Sequence, residues 1–286
     1  MDKDLYLDRI GWRGPTRPDL ECLEGLCKAQ LTSVPFENFD IHLGVEIRLD
    51  APSLYRKIVR RRRGGFCYEL NGLFAWLLRE VGFSVELLSS RVMRKGGLGA
   101  EFDHMALRVW CEGKPFLVDV GFGDGSTLPL ALEVGSSRCD SEATYRLDSV
   151  AGQMHYQVLR PDGEVKGYEL SHVSREVSEF ESMSRHHQSS ARSWFTKSRI
   201  CVLRSEVGTI SLIDGVYKRG GDTVATLDSD GEYLQTLRSV FGIDLPRMPH
   251  NASEQGLQKL RLQGLVWQER AQRALAMLGQ RRLLPQ

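Results

Sequence analysis

The sequence predicts an α+β fold. Three observations carry that prediction. Apolar residues recur at three- and four-residue spacing up to about residue 85. From about residue 84 the period falls to two, in short runs separated by turn residues. Helical spacing returns only after about residue 230, so helices and strands are segregated along the chain rather than alternating.

Each element follows in order. Leu20, Leu23, Leu26 and Cys27 mark one helix face. Pro52, shortly after Asp50, sits where a helix begins. Leu54, Tyr55 and Ile58 line its face, and Gly64-Gly65 ends the run. A further helix is expected from Cys67 to about Glu80, with Leu70, Leu73, Phe74, Leu77, Leu78 and Val81 as its buried stripe. Gly82 suits a left-handed cap at its end. Strands are expected over 84–93, 104–111 and 116–122, then over 145–147, 155–159 and 165–170, where Pro161-Asp162-Gly163 makes a turn. Strands this short and closely spaced suggest a small barrel or a sandwich. Residues 171–194 are rich in Ser and charge and read as a loose connection. Strands follow over 200–203, 209–213 and 223–227, and helices over 233–241 and 254–278. No internal repeat is present.

The bulk numbers narrow the function. The chain has 286 residues and a formal net charge of +1, so no global field draws it to nucleic acid or to a membrane surface. The run Arg60–Arg63 therefore reads as a solvated helix face rather than a nucleic-acid patch. No window approaches the ~20 apolar residues of a membrane span. The first residues, MDKDLYLDRIGW, carry acidic residues and no long apolar run, unlike a secretory signal, and the cytoplasm is expected. The six cysteines (22, 27, 67, 111, 139 and 201) form no C-x-x-C pair and lie near no zinc-like His spacing, so free thiols are expected. No metal is expected. The sequon at Asn251-Ala252-Ser253 carries no meaning without a secretory route.

One segment concentrates chemistry: Arg63-Gly64-Gly65-Phe66-Cys67-Tyr68-Glu69-Leu70-Asn71. Two glycines permit a tight turn, and a helix then opens at Cys67. A thiol there meets unpaired N–H groups and the positive end of the helix dipole, which favour the nucleophilic anion. A buried structural thiol after a helix break is the alternative. A reactive thiol needs a base and an acid that orients it. His104 and Asp119 are the candidates. With Glu112-Gly113 as a two-residue hairpin loop, Cys111 pairs with Lys114 and Asp119 lies opposite Ala106. His104 is then the diagonal same-face neighbour of Asp119, ~7–8 Å away at the backbone and within side-chain reach. Asp119 also needs a partner. It lies inside the apolar run Val118-Asp119-Val120-Gly121-Phe122-Gly123, where an unpaired acid costs several kcal/mol.

These pieces, in this order, resemble the arylamine N-acetyltransferase family. The opening Tyr6-Leu7-Asp8-Arg9-Ile10-Gly11, then Val34-Pro35-Phe36-Glu37-Asn38-Phe39-Asp40, the Cys67 segment, His104, the Asp119 segment and Trp194-Phe195-Thr196-Lys197-Ser198 all carry the likeness. It runs from residue 5 to about 245. The resemblance implies an N-terminal helical bundle over 1–85 carrying the nucleophile, a central β-barrel over 86–194 carrying His104 and Asp119, and a C-terminal α/β lid over 195–286. The core is a cysteine-protease-like Cys-His-Asp arrangement. The resemblance further implies Cys67, His104 and Asp119 as a catalytic triad and acetyl-CoA as acyl donor. It implies ping-pong transfer through an acetyl-cysteine to an arylamine or hydrazine, or to the oxygen of an N-hydroxyarylamine. Phe36 and Phe122 match positions that line the acceptor pocket. Arg63 and Glu37 read as a structural ion pair that fixes the nucleophile loop.

Two loops are candidates for coenzyme A. Arg94-Lys95-Gly96-Gly97-Leu98-Gly99 is basic and flexible, with Gly96 and Gly97 at its centre. Gly121 to Thr127 follows Asp119, and Gly123, Ser126 and Thr127 offer backbone N–H groups for an anion nest. Neither has the spacing of a Walker or dinucleotide motif. A thiol hydrolase or transglutaminase-like enzyme would use the same three groups, and a binding module would keep the fold without the chemistry. The expected partners are coenzyme A and a small aromatic amine or hydrazine, with the protein a monomer or homodimer. Two stretches depart from the resemblance. The tail after about 246 has an apolar stripe at Leu257, Leu260 and Leu265. The stretch Ala100-Glu101-Phe102-Asp103 before His104 is acidic where small or polar residues are expected.

Overall fold

The computed structural model describes residues 1–205 and 208–249. The expected helix over 254–278, its apolar stripe and the sequon lie outside the described residues.

The first layer is helical: α1 (Lys3–Ile10), α2 (Leu20–Ser33), α3 (Phe39–Leu43), α4 (Ala51–Tyr55) and α5 (Cys67–Val81), with the two-residue strand β1 (Phe36–Glu37) between α2 and α3. Local chemistry starts and stops them. Asp2, Asp19 and Asp50 accept backbone N–H groups at the starts of α1, α2 and α4. Gly82 closes α5 at φ 111°, as its position predicts. α4 runs on into a wide turn at Arg56–Arg60. α5 is buried on nearly every side, Cys67 to Val81, which makes it the axis of the helical layer rather than a surface helix.

The second layer is an antiparallel sheet that curls into a nearly closed barrel. Its strands are β2 (Ser84–Arg94), β3 (Gly97–Leu98), β4 (His104–Cys111), β5 (Lys114–Val118), β6 (Leu130–Ala131), β7 (Ser137–Cys139), β8 (Thr144–Val150), β9 (Gln153–Leu159) and β10 (Val165–Arg175). Their spatial order is β6-β5-β4-β2-β10-β9-β8-β7, with β3 folded back on β2. Alternation sorts the side chains. Leu87, Met105, Leu107 and Val109 pack on the helices, while Leu88, Ala106, Leu117, Tyr156 and Tyr168 fill the barrel. β2 and β4 are therefore buried on both faces, and His104 shares the barrel face with Ala106.

After β10 come α6 (Val177–Ser189), a short turn at Trp194–Thr196, then β11 (Ile200–Ser205), β12 (Gly208–Ile213), β13 (Val216–Arg219), β14 (Asp222–Thr226) and α7 (Asp230–Phe241). These strands form a second antiparallel sheet in the order β1-β11-β12-β13-β14. Tyr233, Leu237 and Phe241 of α7 cover it, packing with Cys201, Leu212 and Tyr217. β1 joins this sheet from the N-terminal part, Phe36 opposite Val202 and Glu37 opposite Cys201.

The structure thus has the expected α+β architecture of helices, barrel and α/β lid. It corrects three local readings. The stretch 171–194 is not a loose connection: β10 continues to Arg175 and α6 follows. The fully buried residues of α6 are Phe180, Ser184, His187 and Gln188, mostly polar, and its apolar residues Val177, Phe180 and Met183 are confined to its first two turns, too short a stripe to read. Gln188 is satisfied by the backbone of Ile47, accepting its N–H at 2.8 Å and donating to its carbonyl at 3.1 Å. The strand expected over 116–122 ends at Val118, where the chain turns inward. β13, absent from the sequence reading, lies between β12 and β14.

Candidate active site

Cys67 is the first residue of α5 and is 2% exposed. The loop that delivers it is crowded. A Cβ on Gly64 would lie 1.9 Å from the Pro35 carbonyl oxygen, so no other residue fits there. Gly65 accepts the Glu37 N–H at 2.9 Å, which joins the loop to β1. A buried charge cluster fixes the rest. Arg63 donates to both Glu37 carboxylate oxygens, at 2.9 and 3.0 Å, and to Asp40 at 2.9 Å. Lys57 bridges Glu69 and Asp40 at 2.8 and 2.9 Å. Glu69 in turn accepts the Phe66 N–H at 3.1 Å and caps the helix that Cys67 opens. Burial alone would lower Lys57 and Arg63, and the surrounding carboxylates more than reverse it. The expected Arg63–Glu37 pair is thus one edge of a five-residue network.

His104 opens β4, and Asp119 lies just past the end of β5. The hairpin between the two strands has the expected register, Cys111 opposite Lys114. The last rung is Leu107 opposite Val118, so the expected rung between Asp119 and Ala106 is not made. The side chains still meet: His104 Nε2 lies 2.7 Å from Asp119 Oδ2. Nδ1 is the ring nitrogen that Asp119 leaves over, and Cys67 acts electrostatically on the same imidazole. Burial alone would lower the His104 value, but the Asp119 charge, its hydrogen bond and the Cys67 contact push it up to about 10. Burial alone would raise Asp119, and His104, Asn71 and the Gly121 N–H hold it below the usual carboxylate range. His104 and Asp119 are thus hydrogen-bonded, with Cys67 acting on the same ring.

Two further residues steady the acid. Tyr168 on β10 donates its hydroxyl to Asp119 Oδ2 at 2.9 Å. Asn71 donates to Asp119 Oδ1 at 2.8 Å and to the Met105 carbonyl at 2.6 Å, and accepts the Val120 N–H at 2.9 Å. Asn71 is four residues after Cys67, one helical turn, so its sharing of the Cys67 face was available from spacing. Tyr168 had no such signal, because only the barrel brings β10 to Asp119. Gly121 completes the contact of loop and helix: a Cβ there would lie 2.8 Å from the Cys67 Cα.

Of the two predicted aromatic residues, Phe122 lies against this row. Phe122 is half-buried, with its ring 5.4 Å from His104 and 5.2 Å from Tyr168. Phe36 is half-buried, bridges to Gly65 through its backbone and packs on Phe195 at 6.1 Å. The predicted loop residues are spread more widely. Gly123, at φ 68°, follows Phe122. The Ser126 N–H already donates to Tyr156 Oη at 2.9 Å, and the Asp124 N–H to the Phe122 carbonyl, which leaves fewer N–H groups for an anion than an open nest would offer. Thr127 is half-buried beside them. Gly96 lies in the two-residue turn between β2 and β3 and Gly97 opens β3, with open space around both. Arg94 beside them is held by Asp103 at 2.6 Å.

Among the described residues no cluster of His, Cys, Asp and Glu is gathered that would hold a metal ion, and no helix is long and apolar enough to cross a membrane. All six cysteines are free thiols, and only Cys139 is exposed.

The N-acetyltransferase family profile matches residues 19–249. The arylamine N-acetyltransferase of Mycolicibacterium smegmatis is 35% identical over 257 residues, covering 86% of this chain and 93% of that protein. Human arylamine N-acetyltransferase 1 is 30% identical over 280 residues, covering 86% and 96%. Among solved structures, the Mycobacterium marinum arylamine N-acetyltransferase in complex with CoA superposes with a TM-score of 0.78 at 33% identity, covering 85% of this chain and 93% of that one. The Salmonella typhimurium enzyme superposes with a TM-score of 0.79 at 27% identity, covering 90% and 97%.

Proposed function

The chain belongs to the arylamine N-acetyltransferase family and is an acyltransferase, and from that premise we propose that Cys67, His104 and Asp119 carry acetyl from acetyl-CoA to an aromatic amine by a ping-pong route. The observation that supports it best is the meeting of the three: Asp119 at 2.7 Å from one ring nitrogen of His104, and the loop after Asp119 pressed against the Cys67 backbone at Gly121.

In the first half, His104 holds the Cys67 proton and the sulfur attacks the acetyl carbonyl carbon. The C–S bond to CoA breaks, and the leaving sulfur takes the proton from His104. One thioester replaces another. The Cys67 N–H, which has no acceptor within the helix, faces the acyl oxygen. In the second half, the amine nitrogen attacks the acetyl-cysteine, gives its proton to His104 and leaves Cys67 as the thiolate. Acetylation of Cys67 removes the influence of its sulfur on the ring, one of those that raise His104. The ring is therefore easier to deprotonate when it must act as a base. Asp119 keeps the ring oriented throughout.

Phe36 and Phe122 form flat walls for an aromatic acceptor. Hydrazines and N-hydroxyarylamines, accepting on nitrogen and oxygen, fall within the same site. The M. marinum complex with CoA supports coenzyme A as the donor's carrier, and we assign its contacts to the Gly96–Gly97 turn and to Gly123, Ser126 and Thr127. A reactive buried thiol requires a reducing compartment, which supports the cytoplasm.

Mass spectrometry after mixing with acetyl-CoA alone tests the reading. One added acetyl group on Cys67 is expected, and none on the Cys67→Ser variant. Turnover of acetyl-CoA with an arylamine by Cys67→Ser would refute it.

A further inference from the structure

Asp103, the acidic residue out of place before His104, meets a second imidazole. His187 Nε2 lies 3.2 Å from Asp103 Oδ1, an ion-pair distance without the alignment of a hydrogen bond. His187 Nδ1 lies 3.2 Å from Ser193 Oγ. Arg94 donates to the same carboxylate at 2.6 and 2.7 Å. The order of groups mimics a serine hydrolase, but the environment excludes that chemistry. Asp103, His187 and Ser193 are 5%, 4% and 3% exposed, and Ser193 Oγ accepts the Phe195 N–H at 3.2 Å. No substrate reaches them.

What His187 touches is more telling. One face of its ring stacks on Tyr68, the residue after Cys67, at 6.1 Å and 26°. Phe195 stands edge-on to it at 5.2 Å and 84°. Phe195 in turn packs on Phe36 at 6.1 Å and on Phe66 at 5.8 Å. One imidazole thus lies between the nucleophile helix and the aromatic side of the site, and it contacts none of Cys67, His104 or Asp119 among the described residues. Two groups keep it from rotating: an acid on one nitrogen and a hydroxyl on the other. A buried imidazole with a hydrogen bond at Nδ1, a carboxylate 3.2 Å from Nε2 and aromatic rings on two sides is a rigid spacer.

We propose that His187, held between Asp103 and Ser193, is a positioning residue for the acceptor half of the reaction, setting the aromatic wall carried by Phe195 against the helix that carries Cys67. The proposal rests on the transfer reading above and adds a determinant of acceptor choice to it. A flat ring of an aromatic amine needs that wall, and unsubstituted hydrazine does not.

The test separates the half-reactions. Acetyl-Cys67 is formed from acetyl-CoA alone, and its decay is followed after adding aniline or hydrazine. For His187→Leu, decay with aniline is expected to slow roughly tenfold, while decay with hydrazine changes by less than about twofold. His187→Gln, which keeps a polar N–H facing Asp103, is expected to recover most of the loss. Equal slowing with both acceptors, or unchanged decay with aniline, overturns the proposal. If His187→Leu does not fold, Ser193→Ala removes the other hold on the ring and must show the same selective loss. Failure of the unsubstituted protein to form acetyl-Cys67 refutes the transfer reading instead, so the two failures are distinct.

Discussion

At the scale of single residues, charge placement dominates. His104 is pushed up to about 10 because Asp119, itself buried, outweighs the desolvation of the ring. A value raised above the ordinary ~6.5 means the cationic ring stabilises the fold fully below about pH 6.5. That contribution is lost as pH rises through about 10. Asp119 works in the opposite sense: its depressed value gives stability above the ordinary carboxylate range that is lost in acid. We therefore expect the stability advantage of the unsubstituted protein over His104→Gln, measured by urea unfolding, to shrink steadily from pH 7 to pH 10. An advantage that grows over that range would contradict the ion pair. Asn71 gives a second residue-scale prediction. Its amide serves the Met105 carbonyl, Asp119 and the Val120 N–H. Asn71→Ala leaves buried groups unpaired and should cost about 3 kcal/mol of stability, together with a fall in Cys67 acetylation because Asp119 loses a donor.

At the scale of elements, the question is how a strained loop stays in place. Arg63 joins it to Glu37 and Asp40, and Lys57 joins Asp40 to the cap residue Glu69. Glu37 is fully buried, so removing its cation leaves a carboxylate with no way to be solvated. Arg63→Met is expected to lower stability by about 3–5 kcal/mol. The double variant Arg63→Met, Glu37→Leu should recover part of that, since no charge is then stranded. Thermal unfolding of the two variants checks it, and equal midpoints would show that the pair does not act as argued. Much of this was legible in sequence. Helix boundaries and the hairpin register follow from caps and turn residues, while the Arg63–Glu37 pair came with the family resemblance. α6 was not legible, because its apolar stripe of Val177, Phe180 and Met183 stops after two turns and hydrogen bonds of Ser184 and Gln188 hold the rest, a pattern that composition alone cannot distinguish from a loop. Asp119 just past the end of β5 shows the same limit: the strand stops one residue early, and the side chain arrives anyway.

At the scale of the molecule, two sheets and a helical layer must be held in register around one site. β1 does this covalently, since it leaves the helical layer to edge the last sheet. Arg204 does it electrostatically. From β11 it donates to Asp140 at 2.7 Å and to Glu142, both in the turn between β7 and β8 of the barrel. Glu142 also accepts the Thr209 N–H at 2.8 Å. Arg204→Met should lower stability by about 3 kcal/mol, the low end for breaking a buried pair, because Asp140 is 30% exposed and can rehydrate. Circular dichroism against temperature would measure it. A midpoint unchanged from the parent would mean that the sheets are held by packing alone.

Sequence by itself placed the candidate groups: a cysteine at the head of a glycine-broken helix, an imidazole and an acid brought together by one hairpin, and an α+β order of elements. Those follow from local rules, since caps, turns and period-two alternation act over a few residues. Tertiary structure alone decided who stands behind the row. Tyr168 reaches Asp119 across the barrel, and His187 reaches Asp103 from a helix some eighty residues downstream. The physical reason is the same in both cases. A buried polar group must be satisfied by whichever donor the packing brings within about 3 Å, and packing between distant segments leaves no period in the chain.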